Sequence, residues 1–303
     1  MVKSISPWIE AARLRTLPLA LSSIITGSAL ALFDGAFNLH VLVWASLTAV
    51  FLQILSNLAN DYGDAVKGTD NAGRVGPLRA VQSGAITPAQ MRKGSIAAAI
   101  IGIFTGMWLT CEGLRGLSWN YYISFMFLGL ASVVAALAYT LGRQPYGYSG
   151  FGDISVFLFF GQAGVLGTYF LHRHELSGDA ALMAAVIGLF SMGVLNLNNM
   201  RDMENDKRCG KRTFASRLGL ARAKIYHSLL IVSGLLGAAA FTALNFISAG
   251  QLLIFLIFPI FIRDINAILK TKDNAELDPF LKKLSLSTFI FSILFSIGVV
   301  WSL

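Results

Sequence analysis

Long apolar runs with few or no charged residues alternate with shorter polar segments along the whole chain. A helix needs about 20 predominantly apolar residues to cross a membrane. Runs near this length occur at residues 17–33, 41–59, 94–111, 121–140, 154–171, 181–200, 225–244, 251–269 and 284–303. Because the runs are continuous and do not alternate as barrel strands would, they predict an all-α polytopic membrane protein with nine transmembrane helices.

The composition excludes a water-soluble globular protein. Hydrophobic residues make up 55% of the 303 residues and charged residues only 13%, against roughly 25% charged residues in a soluble domain. We therefore expect residues 1–303 to form a single membrane domain. Ala29-x-Ala31 has the form of a signal-peptidase site, but further apolar runs follow, so we expect the first helix to stay uncleaved. Cys111 and Cys209 are predicted on opposite membrane faces, which excludes a disulfide between them.

The distribution of basic residues explains the net charge of +8 without a nucleic-acid partner. If the nine runs cross the membrane in turn, all 24 Lys and Arg residues except Arg115 and Arg173 lie on one face. Loops rich in Lys and Arg stay in the cytoplasm. The chain is therefore predicted to be a multi-pass protein of the cell (inner) membrane, with a cytoplasmic N-terminus and an external C-terminus.

Two long polar loops on this basic face follow the second and the sixth run, at residues 60–93 and 201–224. Their spacing of four runs predicts two related four-helix halves, about 1–140 and 141–270, and a ninth helix at 284–303. Internal repeats of this kind place a site where the halves meet. The first loop ends in Thr87-Pro88-Ala89-Gln90, a pattern typical of the N-cap and first turn of a helix.

Each of these loops begins with a cluster of amides and carboxylates. In the second cluster, Asn198, Asp202 and Asp206 are four residues apart and share one helix face. The first cluster repeats this spacing twice, in the pairs Asn57 with Asp61 and Asn60 with Asp64, and Gly68 is expected to end the helix, so that Asp70 comes from the loop. Polar helix ends are often only solvated, but two matched clusters on one face favour a shared site.

Carboxylate and amide oxygens without nearby His or Cys indicate a hard cation such as Mg²⁺, with Mn²⁺ as a substitute. The candidate metal ligands are Asp61, Asp64, Asp70, Asp202 and Asp206. Mg²⁺ is commonly shared with substrate phosphates, and a carboxylate about 4 Å from a phosphate oxygen is repelled by about 4 kcal/mol without it. A further set of polar and basic residues are candidates for contact with the substrate: Arg13, Asn57, Asn60, Arg74, Arg79, Asn198, Arg201, Lys207, Lys211 and Arg212. Alternatively, the basic residues among them only set the membrane topology.

The loop between the fourth and fifth runs carries an aromatic and a basic candidate. If the fourth helix continues, Arg143 lies one turn beyond Tyr139 and points to the same site. An aromatic ring there, such as that of Tyr139, would stabilise a carbocation in the site through its π face. Alternatively, Tyr139 and Tyr148 are aromatic residues of the membrane interface. Asp153 is interpreted as a cap of the fifth helix.

At these residues the chain resembles the UbiA superfamily of intramembrane aromatic prenyltransferases. Asn198 to Asp206 has the family's N-x-x-x-D-x-x-x-D form, whereas in the first motif Asp64 follows Asp61 by three and Asp70 lies further on. This longer form resembles the branch of the family that prenylates a naphthoate. Further segments that resemble this branch are residues 13–18, 74–84, 143–148 and 210–213.

The resemblance implies a reaction and its participants. Asp61, Asp64, Asp202 and Asp206 would hold Mg²⁺ on a polyprenyl diphosphate, and the acceptor would be 1,4-dihydroxy-2-naphthoate, which loses its carboxylate as CO₂ to give demethylmenaquinol. Related enzymes acting on 4-hydroxybenzoate or homogentisate remain alternatives. A membrane transporter is an alternative of a different class, but it would place charges near the midpoints of its spans.

Overall fold

A computed structural model describes residues 5–71 and 75–301, and within these ranges it is all-helical without strands. Nine stretches of the described chain are long and apolar enough to span a membrane, which confirms the predicted number. They consist, in chain order, of α1 (Ser6–Ala12) with α2 (Leu17–Phe33), α3 (Leu39–Lys67), α4 (Pro88–Gly113), α5 (Trp119–Ala138), α6 (Gly152–Val156) with a π-helix (Phe157–Leu166) and α7 (Gly167–Arg173), α8 (Gly178–Arg201), α11 (Leu220–Leu244), a 3₁₀-helix (Ala249–Leu256) with α12 (Phe258–Lys270), and α13 (Asp278–Val300). The protein is a multi-pass membrane protein.

The polar loops contain helix boundaries that the sequence predicts. Thr87 accepts a hydrogen bond from the backbone of Gln90, whose side chain bonds back to Thr87, so α4 begins with the predicted capping box. Gly68 adopts a left-handed conformation with φ of +72° directly after α3, where a residue with a Cβ would be strained. Both boundaries shape the ends of the first loop beside the aspartate motif.

The second aspartate motif lies on two helices and not on one. α8 ends at Arg201, Asp202 joins the helices, and α9 (Met203–Arg208) follows, before α10 (Phe214–Leu218) leads into α11. The backbone N–H of Asp202 still donates to Asn198 at 3.1 Å, and that of Asp206 donates to Asp202 at 2.9 Å. The four-residue spacing therefore survives the break, and both aspartates remain on one side.

The fifth span contains an unusual ten-residue π-helix, Phe157–Leu166. Its glycines permit close packing, because a Cβ on Gly161 would lie 2.5 Å from the carbonyl oxygen of Ala184 and one on Gly164 would lie 2.7 Å from Cβ of Ser23. π-helical turns are rare and often occur at functional sites. Here the wider helix borders the central cavity described below.

The ninth span is part of the core. α13 packs against α2 and α8, and the hydroxyl of Thr26 on α2 donates to that of Ser292 on α13 at 3.1 Å. Phe190 of α8 stacks on Phe261 at 4.9 Å between ring centroids and meets Phe291 edge-on at 5.4 Å. The last helix therefore lies between the first and sixth spans, and its first turn reaches the level of the second aspartate motif.

Candidate active site

A cavity of about 790 Å³ lies among the helices, and side chains of both aspartate motifs line its polar end. The motif residues along it are Asn57, Asn60, Asp64, Asp70, Asn198, Asp202 and Asp206. The rest of the wall is largely apolar and includes Leu19, Ile24, Leu52, Met107, Phe125 and Phe160. The structure thus brings the two clusters, more than a hundred residues apart in the sequence, to one end of a largely apolar cavity.

Asp64, at the end of α3, is held by an aromatic hydroxyl. The hydroxyl of Tyr148 donates to Oδ1 of Asp64 at 2.7 Å and also lies 2.9 Å from Oγ1 of Thr69. Burial and the Asp64 carboxylate raise the pKa of Tyr148, so this hydroxyl stays protonated and able to donate. The ring lies near two ammonium groups, 5.2 Å from Nζ of Lys67 and 5.4 Å from Nζ of Lys211. Tyr148 is therefore a residue of the site and not only an interface aromatic.

Asp206 and Lys211 form a buried pair at the cavity. Nζ of Lys211 lies 3.5 Å from Oδ1 of Asp206, whereas the buried Oδ2 of Asp206 has no hydrogen-bond partner among the described residues. Burial, aided by the charges of Asp202 and Asp64 and opposed by Lys211, raises the pKa of Asp206 to about 6. Burial opposes the charged form of Lys211, but Asp206 and Asp64 outweigh it and raise the pKa of the ammonium. The carboxylates at this end thus repel one another and favour added positive charge.

Both carboxylate oxygens of Asp202 accept hydrogen bonds from the neighbouring Arg201. Nε of Arg201 donates to Oδ1 of Asp202 at 2.9 Å, and Nη2 donates to Oδ2 at 2.6 Å. The guanidinium is 2% exposed and also donates to Asp278, the first residue of α13, at 2.6 Å. Arg201 is not among the residues that line the cavity, and its donors serve Asp202, Asp278 and Asn198. Its contact with substrate phosphate stays a prediction.

Asp61 forms ion pairs with two arginines. Arg13 forms a salt bridge with Asp61, and Nη1 of Arg79 lies 3.2 Å from Oδ1 of the same carboxylate. Asp61 is 1% exposed and lies behind the cavity wall, whereas Arg13 and Arg79 line the cavity. Nε of Arg79 also lies 3.8 Å from Oδ1 of Asp70. In this arrangement Asp61 pairs with two cations that line the cavity. Its role as a metal ligand stays a prediction.

The amides of the first motif have different surroundings. Asn57 donates to the carbonyl oxygen of Ala12 at 2.9 Å and to the hydroxyl of Thr16 at 3.0 Å, which ties α3 to the N-terminal segment. Asn60 accepts from Thr140 at 3.3 Å. Both amides lie along the cavity. They join the segments that carry Arg13 and Tyr139 to the first aspartate motif.

Tyr139 lies at the cavity, whereas Arg143 lies on the protein surface. Tyr139 follows α5, lines the cavity and meets Tyr146 edge-on at 5.4 Å between ring centroids. The helix does not continue beyond it, and Gly142 turns the chain with φ of +91°. Arg143 is exposed on the surface. The prediction that Arg143 points to the site one turn beyond Tyr139 is therefore wrong.

The remaining candidates lie outside the cavity or outside the described chain. Asp153 lies in the first turn of α6, where Phe151 is the N-cap and no side chain caps the helix, so its interpretation as a helix cap is wrong. It accepts a hydrogen bond from the hydroxyl of Tyr226 at 3.0 Å instead. Lys207 pairs with Glu204 at 3.6 Å on the exposed side of α9. Arg212 is exposed. Arg74 lies outside the described residues.

The donor set fits a divalent cation that is shared with a ligand. No group of three His, Cys, Asp or Glu side chains in the described ranges converges closely enough to hold a metal ion alone. Nevertheless, Asp64, Asp202 and Asp206 line the same end, and one buried carboxylate oxygen there lacks a partner. Oxygen ligands from a few carboxylates, completed by phosphate oxygens and water, are typical of Mg²⁺. These residues therefore fit a metal ion that arrives with a phosphorylated substrate.

A membrane helical bundle that holds two carboxylate motifs at the polar end of an apolar chamber has the architecture of an intramembrane prenyltransferase. Residues 20–293 match the UbiA prenyltransferase family, and the chain belongs to this family.

Relatives with assigned activities cover nearly the whole chain. It is 39% identical to the 1,4-dihydroxy-2-naphthoate octaprenyltransferase of Escherichia coli (strain K12) over 97% of this chain and 95% of that protein. It is 41% identical to the protein of the same name from Haemophilus influenzae, again over 97% and 95%. The fold is similar to that of a UbiA homolog from Archaeoglobus fulgidus bound to GPP and Mg²⁺, with a TM-score of 0.61, 14% identity, and coverage of 96% of this chain and 100% of the other.

Proposed function

We propose that this protein transfers a polyprenyl group from polyprenyl diphosphate to 1,4-dihydroxy-2-naphthoate, giving demethylmenaquinol, CO₂ and diphosphate. The observation that carries the proposal is the identity of 39% and 41%, over 97% of the chain, to proteins named for this prenyl transfer. The structure adds a chemical argument for a substrate with a charged head and an apolar tail, since carboxylates and basic side chains lie at one end of an otherwise apolar cavity.

The polar end of the cavity is the proposed diphosphate site. A magnesium ion held by Asp64, Asp202 and Asp206 would neutralise the leaving group and favour cleavage of the allylic C–O bond. The UbiA homolog of similar fold is bound to GPP and Mg²⁺, which supports a divalent cation together with a prenyl diphosphate here. Asp70 lies along the same wall and is a further candidate ligand, whereas the pairing of Asp61 with Arg13 and Arg79 favours an orienting role for that residue.

The basic residues at the polar end of the cavity would stabilise the negative charge of the diphosphate. Arg13, Arg79 and Lys211 line the cavity and supply fixed positive charge to the diphosphate oxygens before and after the C–O bond breaks. Their own carboxylate partners hold them in place. Because the surrounding protein lowers the local dielectric constant, each interaction is stronger than it would be at the protein surface.

The apolar wall protects the reactive part of the donor. The isoprenoid chain occupies the apolar length of the cavity, and the ring of Tyr139, beside the carboxylates, stabilises the allylic cation through its π face. The acceptor ring carbon that carries the carboxylate then forms the new C–C bond to the allylic carbon. Loss of the carboxylate of the acceptor as CO₂ restores the aromatic ring, and the electrons of the broken C–C bond return to it.

The experiment that tests this function compares acceptors. Purified protein in lipid vesicles receives labelled polyprenyl diphosphate, Mg²⁺ and one of three acceptors: 1,4-dihydroxy-2-naphthoate, 4-hydroxybenzoate or homogentisate. We expect a prenylated, decarboxylated product from the naphthoate alone, identified by mass spectrometry. Efficient product from 4-hydroxybenzoate or homogentisate with none from the naphthoate would contradict the proposed acceptor. An Asp206→Asn variant is the matched inactive control.

The charge distribution supports a topology for the site. The basic face of the chain includes the segments with both aspartate motifs, and the positive-inside rule places this face in the cytoplasm. We infer a cell-membrane protein with a cytoplasmic N-terminus and an external C-terminus, so that diphosphate and acceptor enter from the cytoplasm. We also infer that the spans within about 1–140 and 141–270 are related halves that meet at the cavity.

A further inference from the structure

The first residue of the ninth span contacts the second aspartate motif through a buried arginine. Nη1 of Arg201 donates to Oδ1 of Asp278 at 2.6 Å, while Nε and Nη2 grip both oxygens of Asp202. Nη2 also donates to Oδ1 of Asn198 at 3.0 Å. The guanidinium therefore joins α8, the start of α13 and Asp202 in one network, and this network lies directly behind the cavity wall.

The charges of this network do not cancel. One guanidinium faces two carboxylates, those of Asp202 and Asp278, so the group as a whole carries one negative charge. If Arg201 served Asp202 alone, its positive charge would neutralise that carboxylate and weaken it as a cation ligand. Because Asp278 shares the same guanidinium, Asp202 keeps both its fixed orientation and negative charge directed to the cavity.

The exposure of the two carboxylates supports a role beyond packing. The Asp278 side chain is 39% exposed, whereas that of Asp202 is 7% exposed and lines the cavity. The Asp278 carboxylate is partly solvated, and ion pairs with a solvated partner contribute little to stability. Leu281, about one turn further along α13, lines the cavity as well. The first turn of the ninth span is thus a part of the site's surroundings.

We propose that Asp278 is a positioning residue for the divalent cation: through Arg201 it orients Asp202 and preserves its negative charge, so the ninth span takes part in cation binding. This inference rests on the proposed function, since it assumes a cation at Asp202. Outer partners of metal ligands often change metal affinity by 10- to 100-fold when they are removed. Loss of the Asp278 charge should therefore weaken cation binding without removing a ligand.

The test measures metal binding without turnover. Purified protein is titrated with Mn²⁺ in the presence of geranyl thiodiphosphate, a slowly ionising donor analogue, and free Mn²⁺ is followed by its EPR signal. We expect Asp278→Asn to weaken Mn²⁺ binding roughly tenfold, and Asp278→Glu to stay near the wild type. Asp273→Asn is the matched control, because it removes a carboxylate five positions before Asp278, one that accepts from the backbone N–H of Ala275 at 3.0 Å.

The outcomes separate this inference from the proposed function. If Asp278→Asn binds Mn²⁺ as tightly as Asp273→Asn, the inference is overturned while the proposed metal site stands. If the wild type does not bind Mn²⁺ at all with the analogue, the proposed metal site fails and this inference with it. Thermal unfolding without metal checks the fold, and Asp278→Ser is a second uncharged variant. Restoration of Asp278→Asn turnover by excess Mg²⁺ would support the role, since damage to packing would not respond to the cation.

Discussion

The side-chain amide of Asn205 donates a hydrogen bond to the backbone carbonyl oxygen of Thr69 at 2.9 Å. Thr69 lies in the loop after α3, directly before Asp70 of the first aspartate motif, and Asn205 lies on α9 within the second. Asn71 reinforces this contact, since its amide donates to Sγ of Cys209 at 3.2 Å. The two motifs are therefore joined directly by side chains of their own loops, and these contacts fix their relative position.

We expect Asn205→Ala to lower activity while the protein remains folded. The substitution removes the donor to Thr69, worth about 1 kcal/mol, and loosens the distance between the motifs. Turnover should fall by roughly tenfold or more, because small displacements of catalytic groups are costly. The matched control is Asn245→Ala, which removes a similar amide contact, to Asp179 at 3.0 Å, far from the motifs. Equal activity of the two variants in the prenyl-transfer assay would contradict this link.

Tyr148→Phe tests the hydroxyl that holds Asp64. The change leaves the ring beside Lys67 and Lys211 but removes the 2.7 Å hydrogen bond to Asp64. A hydrogen bond to a charged group contributes roughly 1.5–3 kcal/mol, so we expect at least a tenfold rise in the Mg²⁺ concentration for half-maximal activity. Tyr226→Phe, which removes the hydroxyl from Asp153, is the control and should leave this Mg²⁺ requirement unchanged. A normal Mg²⁺ requirement for Tyr148→Phe would show that Asp64 needs no such support.

The positions of the arginines lead to a direct comparison. Arg79 lines the cavity beside Asp61, whereas Arg143 is exposed on the surface. We expect Arg79→Ala to reduce turnover on the order of a hundredfold, because it removes a fixed cation from the diphosphate site and leaves Asp61 short of positive charge. Arg143→Ala should stay within about twofold of the wild type. The measurement is steady-state kinetics with both substrates varied. A severe defect in Arg143→Ala would contradict the placement of Arg143 outside the site.

Local sequence patterns predicted much of this architecture but not its long-range partners. Apolar runs predicted the spans, and the four-residue spacing of Asn198, Asp202 and Asp206 predicted their common side, because both depend on neighbouring residues. The contact of Arg201 with Asp278 spans 77 positions, and no local periodicity indicates it. Arg143 was misplaced for a different reason, since the fourth helix was extended past Gly142, a local residue of low helix propensity at which the chain turns.

Removal of divalent cations should abolish activity. EDTA added to purified protein is expected to stop prenyl transfer, and Mg²⁺ or Mn²⁺ in excess should restore it, because carboxylate oxygen sites accept both ions. Asp202→Ala should remain inactive after the same addition, whereas Asp273→Ala should behave as the wild type. Product formation is measured with labelled donor. Full turnover in chelator would contradict the metal-dependent reading of the aspartate motifs.

The proposed topology predicts the side from which each loop is labelled. The inner loop before α13 contains Ala275, and the loop between the fifth and sixth spans contains Glu175; both residues are exposed. In a background with Cys111→Ser and Cys209→Ala, we expect Ala275→Cys to resist an impermeant thiol reagent in intact spheroplasts and to react in inverted vesicles. Glu175→Cys should show the reverse, which makes the two variants controls for each other. Since an odd number of spans separates the two loops, labelling of both from one side would contradict the span assignment. Labelling of Ala275→Cys alone from outside would instead invert the orientation, and the carboxylate end of the cavity would then open away from the cytoplasm.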